Sequence, residues 1–154
     1  MGKNPESGRR EVSYFNSIYH KKLTKPQEAV ARIPKKGNLA FGLGPSNPPA
    51  LLAALADRVA AEDIEDLHLY YQLASEGARP LFRIDFLDRL HFHSNFMTGL
   101  DRQLIKEAGS SAVIDFMSCY LWQLPRVLTE FNHIDVFMIT VSPMDKHGYF
   151  SLGT

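Results

Sequence analysis

The 154 residues give room for one domain with a true hydrophobic core. Lysine plus arginine equals aspartate plus glutamate, 17 of each, so nothing in the charge points to nucleic acid or an anionic membrane surface as a partner. A single cysteine, Cys119, excludes an internal disulfide, and its context AVIDFMSCYLW reads as a buried, inert thiol.

Residues 1–20 are polar and unpatterned and read as a flexible lead-in to one domain over 21–154. They lack the apolar stretch of a signal peptide. No later run reaches the roughly 18 apolar residues of a membrane span. A cytoplasmic protein is expected.

Thr24-Lys25-Pro26-Gln27 is a capping-box arrangement ahead of a short helix carrying Ala29, Val30 and Ile33, which Pro34 ends. Asn38–Leu43 reads as a strand, leading into Gly42-Leu43-Gly44-Pro45-Ser46-Asn47-Pro48-Pro49. Leu51, Leu52, Leu55 and Val59 then define one face of an amphipathic helix, with Ser46 or Asn47 as its cap and Pro48 at its first position. A strand, a glycine-containing loop and a helix N-terminus make a place where free backbone N–H groups can hold an anion or a carbonyl oxygen. The loop is neither G-x-G-x-x-G nor a P-loop, so a nucleotide cofactor is not indicated.

Leu67–Leu73 is the next strand, with His68 read as a core histidine, and 74–80 is a turn in which Glu76 precedes Gly77. Leu81–Met97 alternates weakly and sets His91 and His93 on one strand face. Zinc wants three or four ligands, and no Cys, Asp or Glu stands at ligand spacing beside these two histidines, so no metal is expected. Asp101 is read as the cap of a helix with Leu104, Ile105 and Ala108 inward and Gly109 as its stop. Ala112–Met117 reads as a buried strand, Tyr120 and Trp122 as packing residues, and Pro125 as the start of a helix turning Val127, Leu128 and Phe131 inward.

Ile134 and Val136–Val141 form a short, almost wholly apolar run, the pattern of a strand buried on both faces in a parallel sheet. Pro143 stops it and Gly148 suits the following turn. The loop Ser142–Gly148 therefore leaves the carboxyl end of a strand, where open α/β sheets place ligands. Strands alternate with helices throughout. The fold class is α/β, a doubly wound, mainly parallel sheet flanked by helices.

The C-terminal pattern D-V-x-x-I-x-V-S-P-x-D-x-H-G-Y-x-S-L-G resembles the N-terminal half of the acetyl-CoA hydrolase/transferase family. It is carried by Asp135, Val136, Ile139, Val141, Ser142, Pro143, Asp145, His147, Gly148, Tyr149, Ser151, Leu152 and Gly153. Three further stretches resemble the same family: Lys22-Leu23 with Glu28-Ala29-Val30, the loop F-G-x-x-x-S-x-P-x-A-L from Phe41 to Leu51, and Phe96, Gly99 and Arg102. Met97-Thr98 departs from the valine the family usually places before that glycine.

The resemblance implies transfer of coenzyme A between carboxylic acids, of the acetyl-CoA/acetate or 4-hydroxybutyrate type, or its release to water. A glutamate attacks the thioester, giving an acyl-glutamyl anhydride and then a glutamyl-CoA thioester. In the family the second half supplies that glutamate, the oxyanion glycines and most of the coenzyme A site. None of the eight glutamates here, Glu6, Glu11, Glu28, Glu62, Glu65, Glu76, Glu107 and Glu130, stands in the nucleophile's context. No catalytic residue is therefore assigned. The implied substrate-loop residues are Gly42, Gly44, Ser46, Asn47, Ser142, Asp145, His147 and Gly148. Acyl-CoA and a short-chain carboxylic acid are the expected ligands, with no metal. The domain is expected to be truncated at its C-terminal end, inactive alone, and to pair with a second CoA-transferase half or with itself. The alternative is a non-catalytic remnant or acyl-CoA-binding module of the same fold.

Overall fold

A computed structural model describes residues 5–152, with side chains from Tyr14 onward. The chain forms two compact units, one from Pro26 to Thr140 and one drawn from its two ends, up to Lys25 and from Val141 on.

In the unit made from the ends, Pro5–Lys22 is an 18-residue helix, α1. From Pro5 on, helix replaces the unpatterned lead-in read from the sequence, and residues 1–4 of that reading lie outside the described residues. His20, Lys21 and Lys22 in its last turn suit the negative end of the helix dipole. Its aromatic side chains meet the C-terminal turn: Phe15 lies against Gly148, and the rings of Tyr19 and Phe150 are 6.0 Å apart.

The larger unit is a five-stranded, all-parallel sheet flanked by helices. After α2 (Pro26–Val30) come β1 (Lys36–Phe41), α3 (Pro49–Ala60), β2 (Asp66–Tyr71), β3 (Leu90–Ser94), α4 (Gly99–Ala108), β4 (Ile114–Phe116) and β5 (Val136–Met138). The strand order is β4-β3-β2-β1-β5. The chain thus steps outward from β1 to β4, then returns to the far side of β1. Leu67, Leu69 and Tyr71 stand in register with Leu90, Phe92 and Ser94, so they share one face of the sheet. That face, joined by Leu39 and Phe41, packs on Leu52, Leu55 and Val59 of α3 and on Leu100 and Leu104 of α4. Each fully buried leucine contributes about 1.5–3 kcal/mol of transfer free energy.

Several expectations fail for local physical reasons. β5 is three residues long and lies at the sheet edge with β1 as its one neighbour, so Phe137 is 57 % exposed rather than buried on both faces. The strand ends early because Thr140 turns to the β1 loop, its N–H donating to Ser46 O at 2.9 Å and its hydroxyl to Asn47 O at 2.9 Å. β4 is the other edge, with only Ile114 buried. Val127–Phe131 forms a π turn, closed by the Asn132 N–H on Val127 O at 3.0 Å. A π turn shifts the helical phase, which swings Phe131 outward. Tyr120 and Trp122 are exposed as well, Trp122 at 77 %, and stack on each other. Cys119 is only half-buried and accepts from Asn95 Nδ2 at 3.2 Å. His68 lies half-exposed on the face away from the core.

Two helix starts also differ. Pro48, not Asn47 or Ser46, caps α3, with Pro49 at the first helical position and no side-chain cap bond. At α4 the cap is Thr98, and Asp101 is the third helical residue, reaching back to the Thr98 N–H at 2.6 Å to complete a capping box. Gly109 ends α4 in the left-handed conformation, as expected. Among the described residues no helix is long and apolar enough to cross a membrane.

Candidate functional site

The strand order reverses between β1 and β5, and open α/β sheets hold ligands beyond the carboxyl ends of the strands at such a switch point. A cleft of about 270 Å³ opens there. Gly42 and Ser46 from the loop after β1, Gln72 after β2, Asn95 after β3 and Ile139 after β5 contribute to its wall. Tyr70, Phe137, Pro125 and Leu128 are among its apolar lining. Among its described lining residues there is no Asp, Glu, Lys, Arg, His or Cys.

The loop after β1 is shaped by contacts that leave little choice of residue. A Cβ on Gly42 would fall 2.6 Å from Ser46 O, so only glycine fits. Gly44 adopts φ +45° and opens the 3₁₀ turn Gly44–Ser46. Ser46 is buried at the cleft edge. Asn47 is buried too, and its side chain is committed to backbone: Nδ2 donates to Gly42 O, and Oδ1 accepts from the Ser75 N–H at 2.7 Å. One amide thus joins the loops that follow β1 and β2, while the Asn47 carbonyl holds Thr140 beyond β5.

Four of the loop N–H groups that the sequence pattern offered to an anion are taken by backbone carbonyls. Gly42 donates to Met138 O at 2.8 Å, Gly44 to Gln72 O at 3.4 Å, Ser46 to Leu43 O at 2.8 Å and Asn47 to Gly44 O at 3.0 Å. Pro48 and Pro49 have no N–H to give. Ser46, together with Gln72 and Asn95, is the polar element of the wall instead. Gln72 and Asn95 were not singled out from sequence, although each follows directly on a strand end, the position where this fold class places ligand contacts.

Behind the wall Tyr71 stacks on Phe41 at 5.2 Å and donates its hydroxyl to Asp101 Oδ1 at 2.5 Å. Burial, and then the Asp101 carboxylate, push the Tyr71 phenol far above its ordinary range. Burial also raises the phenol of Tyr70.

Ser142, Asp145, His147 and Gly148 belong to the other unit, where they build one turn. Asp145 Oδ1 accepts from the N–H groups of His147 at 2.8 Å and Tyr149 at 2.9 Å. These bonds, the one from Tyr149 first, hold its carboxyl below the usual carboxylate range. Ser142 closes the base, its N–H donating to Ser151 O at 3.0 Å and its Oγ accepting from the Ser151 N–H at 2.8 Å. Gly148 has φ +87°. His147 points an exposed side chain from this turn. The eight residues named from sequence thus fall into two groups of four, one in each unit. Glu76, set aside as a nucleophile, is held by Arg79 through bonds of 2.6 and 2.8 Å, which lower its carboxyl's pKa.

Residues 5–154 match the acetyl-CoA hydrolase/transferase N-terminal domain. The chain is 32 % identical over 142 residues to the butyryl-CoA:acetate CoA-transferase of Anaerostipes caccae, covering 90 % of this chain and 30 % of that protein. It is 27 % identical to the 4-hydroxybutyrate coenzyme A transferase of Clostridium kluyveri, covering 90 % and 31 % respectively. Among solved structures it is similar to RipA from Yersinia pestis, with 43 % identity, a TM-score of 0.84, and coverage of 90 % of this chain and 33 % of that one. The chain spans about a third of the length of these relatives.

Proposed function

The chain belongs to the acetyl-CoA hydrolase/transferase N-terminal domain family, and from that premise we propose that it forms one wall of a crevice in which coenzyme A passes between carboxylic acids. Its ligands are an acyl-CoA and a short-chain carboxylate. The observation that carries this reading is the cleft at the switch point, whose apolar lining with Ser46, Gln72 and Asn95 suits an acyl thioester and contains no carboxylate. The attacking group then comes from outside this chain. A glutamate of the family's second half adds to the thioester carbonyl and expels the coenzyme A thiolate, leaving an acyl-glutamyl anhydride. The thiolate returns to the glutamyl carbonyl, releasing the first acid and forming glutamyl-CoA, which the second acid enters by the reverse path. A water-excluding apolar wall favours the anhydride by shielding it from hydrolysis.

The test is direct. Purified chain is incubated with butyryl-CoA and acetate while free thiol and acetyl-CoA are followed. No turnover is expected from this chain alone, and turnover is expected once a second half carrying the family's glutamate is supplied. Thiol release or acetyl-CoA formation by this chain alone refutes the proposal. Failure of the supplied second half to restore activity favours the remnant or binding-module reading.

A further inference from the structure

The sheet face turned away from the core carries a polar cluster whose histidines and carboxylates lie outside the lining of the cleft. Register places His68 beside His91 and Tyr70 beside His93 across β2 and β3, and His93 beside Asp115 across β3 and β4. The rings stack, His68 on His91 at 4.6 Å and on His93 at 5.0 Å, with Tyr70 on the other side of His93 at 4.5 Å. Asp66 at the start of β2 completes the group. Its Oδ1 lies 3.0 Å from His91 Nε2 and 3.7 Å from His68 Nε2. Lys36, the register partner of Asp66, sends its ammonium to Glu65 at 3.2 Å. The expectation of no metal rested on His91 and His93 having no carboxylate beside them. Strand pairing brings one in, together with a third imidazole, from a segment more than twenty residues earlier in the sequence.

Asp66, His68, His93 and Asp115 form a line with three contacts: 3.7 Å from Asp66 to His68, 2.8 Å from His68 Nδ1 to His93 Nε2, and 3.3 Å from His93 Nδ1 to Asp115. One N–H lies between His68 and His93, so the ring that donates it sets the tautomer of the other. The Asp66 end of the line is the open one, with both His68 Nε2 and His91 Nε2 turned to the same carboxylate oxygen.

We propose that Asp66, His68 and His91 form a binding site for a divalent transition metal of the zinc class. The three ligand atoms already lie within 4.8 Å of one another. Ligands at about 2.0–2.2 Å from a tetrahedral zinc stand about 3.3–3.5 Å apart, a spacing that the two Asp66 distances bracket. The side chains of Asp66, His68 and His91 are 51, 36 and 43 % exposed, so the ion has a path in and a fourth position open to water. Imidazole and carboxylate without thiolate suit zinc, cobalt or nickel rather than copper(I). His93, whose side chain is 13 % exposed, and Asp115 are the outer pair that fixes the tautomer of His68. The bound ion fastens β2 to β3 on the face opposite the core.

The test uses the untagged 154-residue chain, zinc titration calorimetry and cobalt absorption spectroscopy. One zinc per chain is expected, with a visible cobalt spectrum of an imidazole–carboxylate site and a raised unfolding midpoint in zinc. Asp66→Asn and His91→Ala should each abolish the cobalt spectrum. His93→Phe, which keeps a ring on Tyr70 but removes both nitrogen contacts, should weaken zinc about 10- to 100-fold. His20→Ala should change nothing, and circular dichroism checks that each variant is folded. No zinc uptake, or uptake that survives Asp66→Asn and His91→Ala in folded protein, overturns the proposal. So does imidazole nitrogen NMR showing a third proton on His68 and His93 that excess zinc does not displace.

Discussion

Asn47 tests whether the cleft is held in shape by one buried amide. Its side chain joins Gly42 O to the Ser75 N–H, linking the loops after β1 and β2. Asn47→Ala strands both backbone groups. An unsatisfied buried polar group costs about 1–3 kcal/mol, and Ser75 is close enough to solvent for water to recover part of its share. The expected loss is therefore about 2–3 kcal/mol. In a chain of this size that lowers the melting temperature by roughly 4–12 °C. Urea unfolding should show a lower midpoint with an unchanged slope. Asn47→Asp sharpens the test because it keeps the shape. One oxygen still accepts from Ser75, but the other now faces Gly42 O, acceptor against acceptor, and carries buried charge. Burial raises the folded-state pKa of the new carboxyl above its unfolded value of about 3.9. Its penalty is therefore absent below that value, where the protonated acid can donate to Gly42 O, and grows as pH rises through the folded-state pKa. At neutral pH Asn47→Asp should be less stable than Asn47→Ala, and near pH 4 the order should reverse. A loss below about 0.5 kcal/mol for Asn47→Ala, or a pH-independent loss for Asn47→Asp, refutes the reasoning.

Gly42→Ala should cost about 2–3 kcal/mol, since its Cβ would meet Ser46 O at 2.6 Å and Ile139 Cγ1 at 3.0 Å. Gly109→Ala, with open space around its Cβ and only a φ of +67° to resist it, should cost about 1–2 kcal/mol; chemical denaturation of both checks the ranking. Tyr71→Phe removes the hydroxyl donor to the fully buried Asp101 carboxylate and should lose about 1.5–3 kcal/mol in the same assay. Asp145 has a folded-state pKa below its unfolded value, so its contribution to the turn is present above the unfolded value and lost as pH falls through the folded one. The His147 and Tyr149 amide resonances should follow that titration by NMR and stop following it in Asp145→Asn; amides that ignore the carboxyl's titration contradict the assignment.

What sequence reasoning reached and missed divides along physical lines. The strand at β2, the apolar face of α3 and the stop at Gly109 are local signals and stand where the sequence placed them, whereas of the weak alternation over Leu81–Met97 only Leu90–Ser94 is strand, its first part being taken up by the 3₁₀ turns that end at Leu81 and span Ile84–Phe86. The parallel sheet followed from strand–helix alternation. Whether a strand is central or at an edge is decided by its partners, so the apolar run at β5 read as doubly buried although it has one neighbour. The π turn at Val127–Phe131 breaks the 3.6-residue period on which the inward reading of Phe131 relied. α1 went unseen because its polar first half hides a Tyr14, Phe15, Ile18, Tyr19 stripe confined to the second half. The loop after β1 was recognised, but the direction of its N–H groups was not, since that depends on Gln72 and Met138 arriving from other strands. The histidine cluster is the same failure at larger scale, three short segments that carry no motif until register aligns them.

The face of the sheet opposite the core is therefore divided in two. Toward β1 and β5 it is apolar, with Ala40, Tyr70 and Phe137 lining the cleft below Pro125 and Leu128. Toward β3 and β4 it is polar, built from His68, His91, His93 and Asp115. Three imidazoles and two carboxylates, spread over β2, β3 and β4, are costly to desolvate without partners, so this part of the face is not built to be buried under apolar side chains. Tyr70 belongs to both halves: it lines the cleft and its ring lies parallel to His93, at 10°. The phenol divides an apolar wall from a polar one at the strand next to the switch point. A ligand seated in the cleft rests on the same ring that holds His93 against His68. The position of Tyr70, rather than any single charged residue, separates the proposed thioester cleft from the proposed cation site on one face of one small sheet.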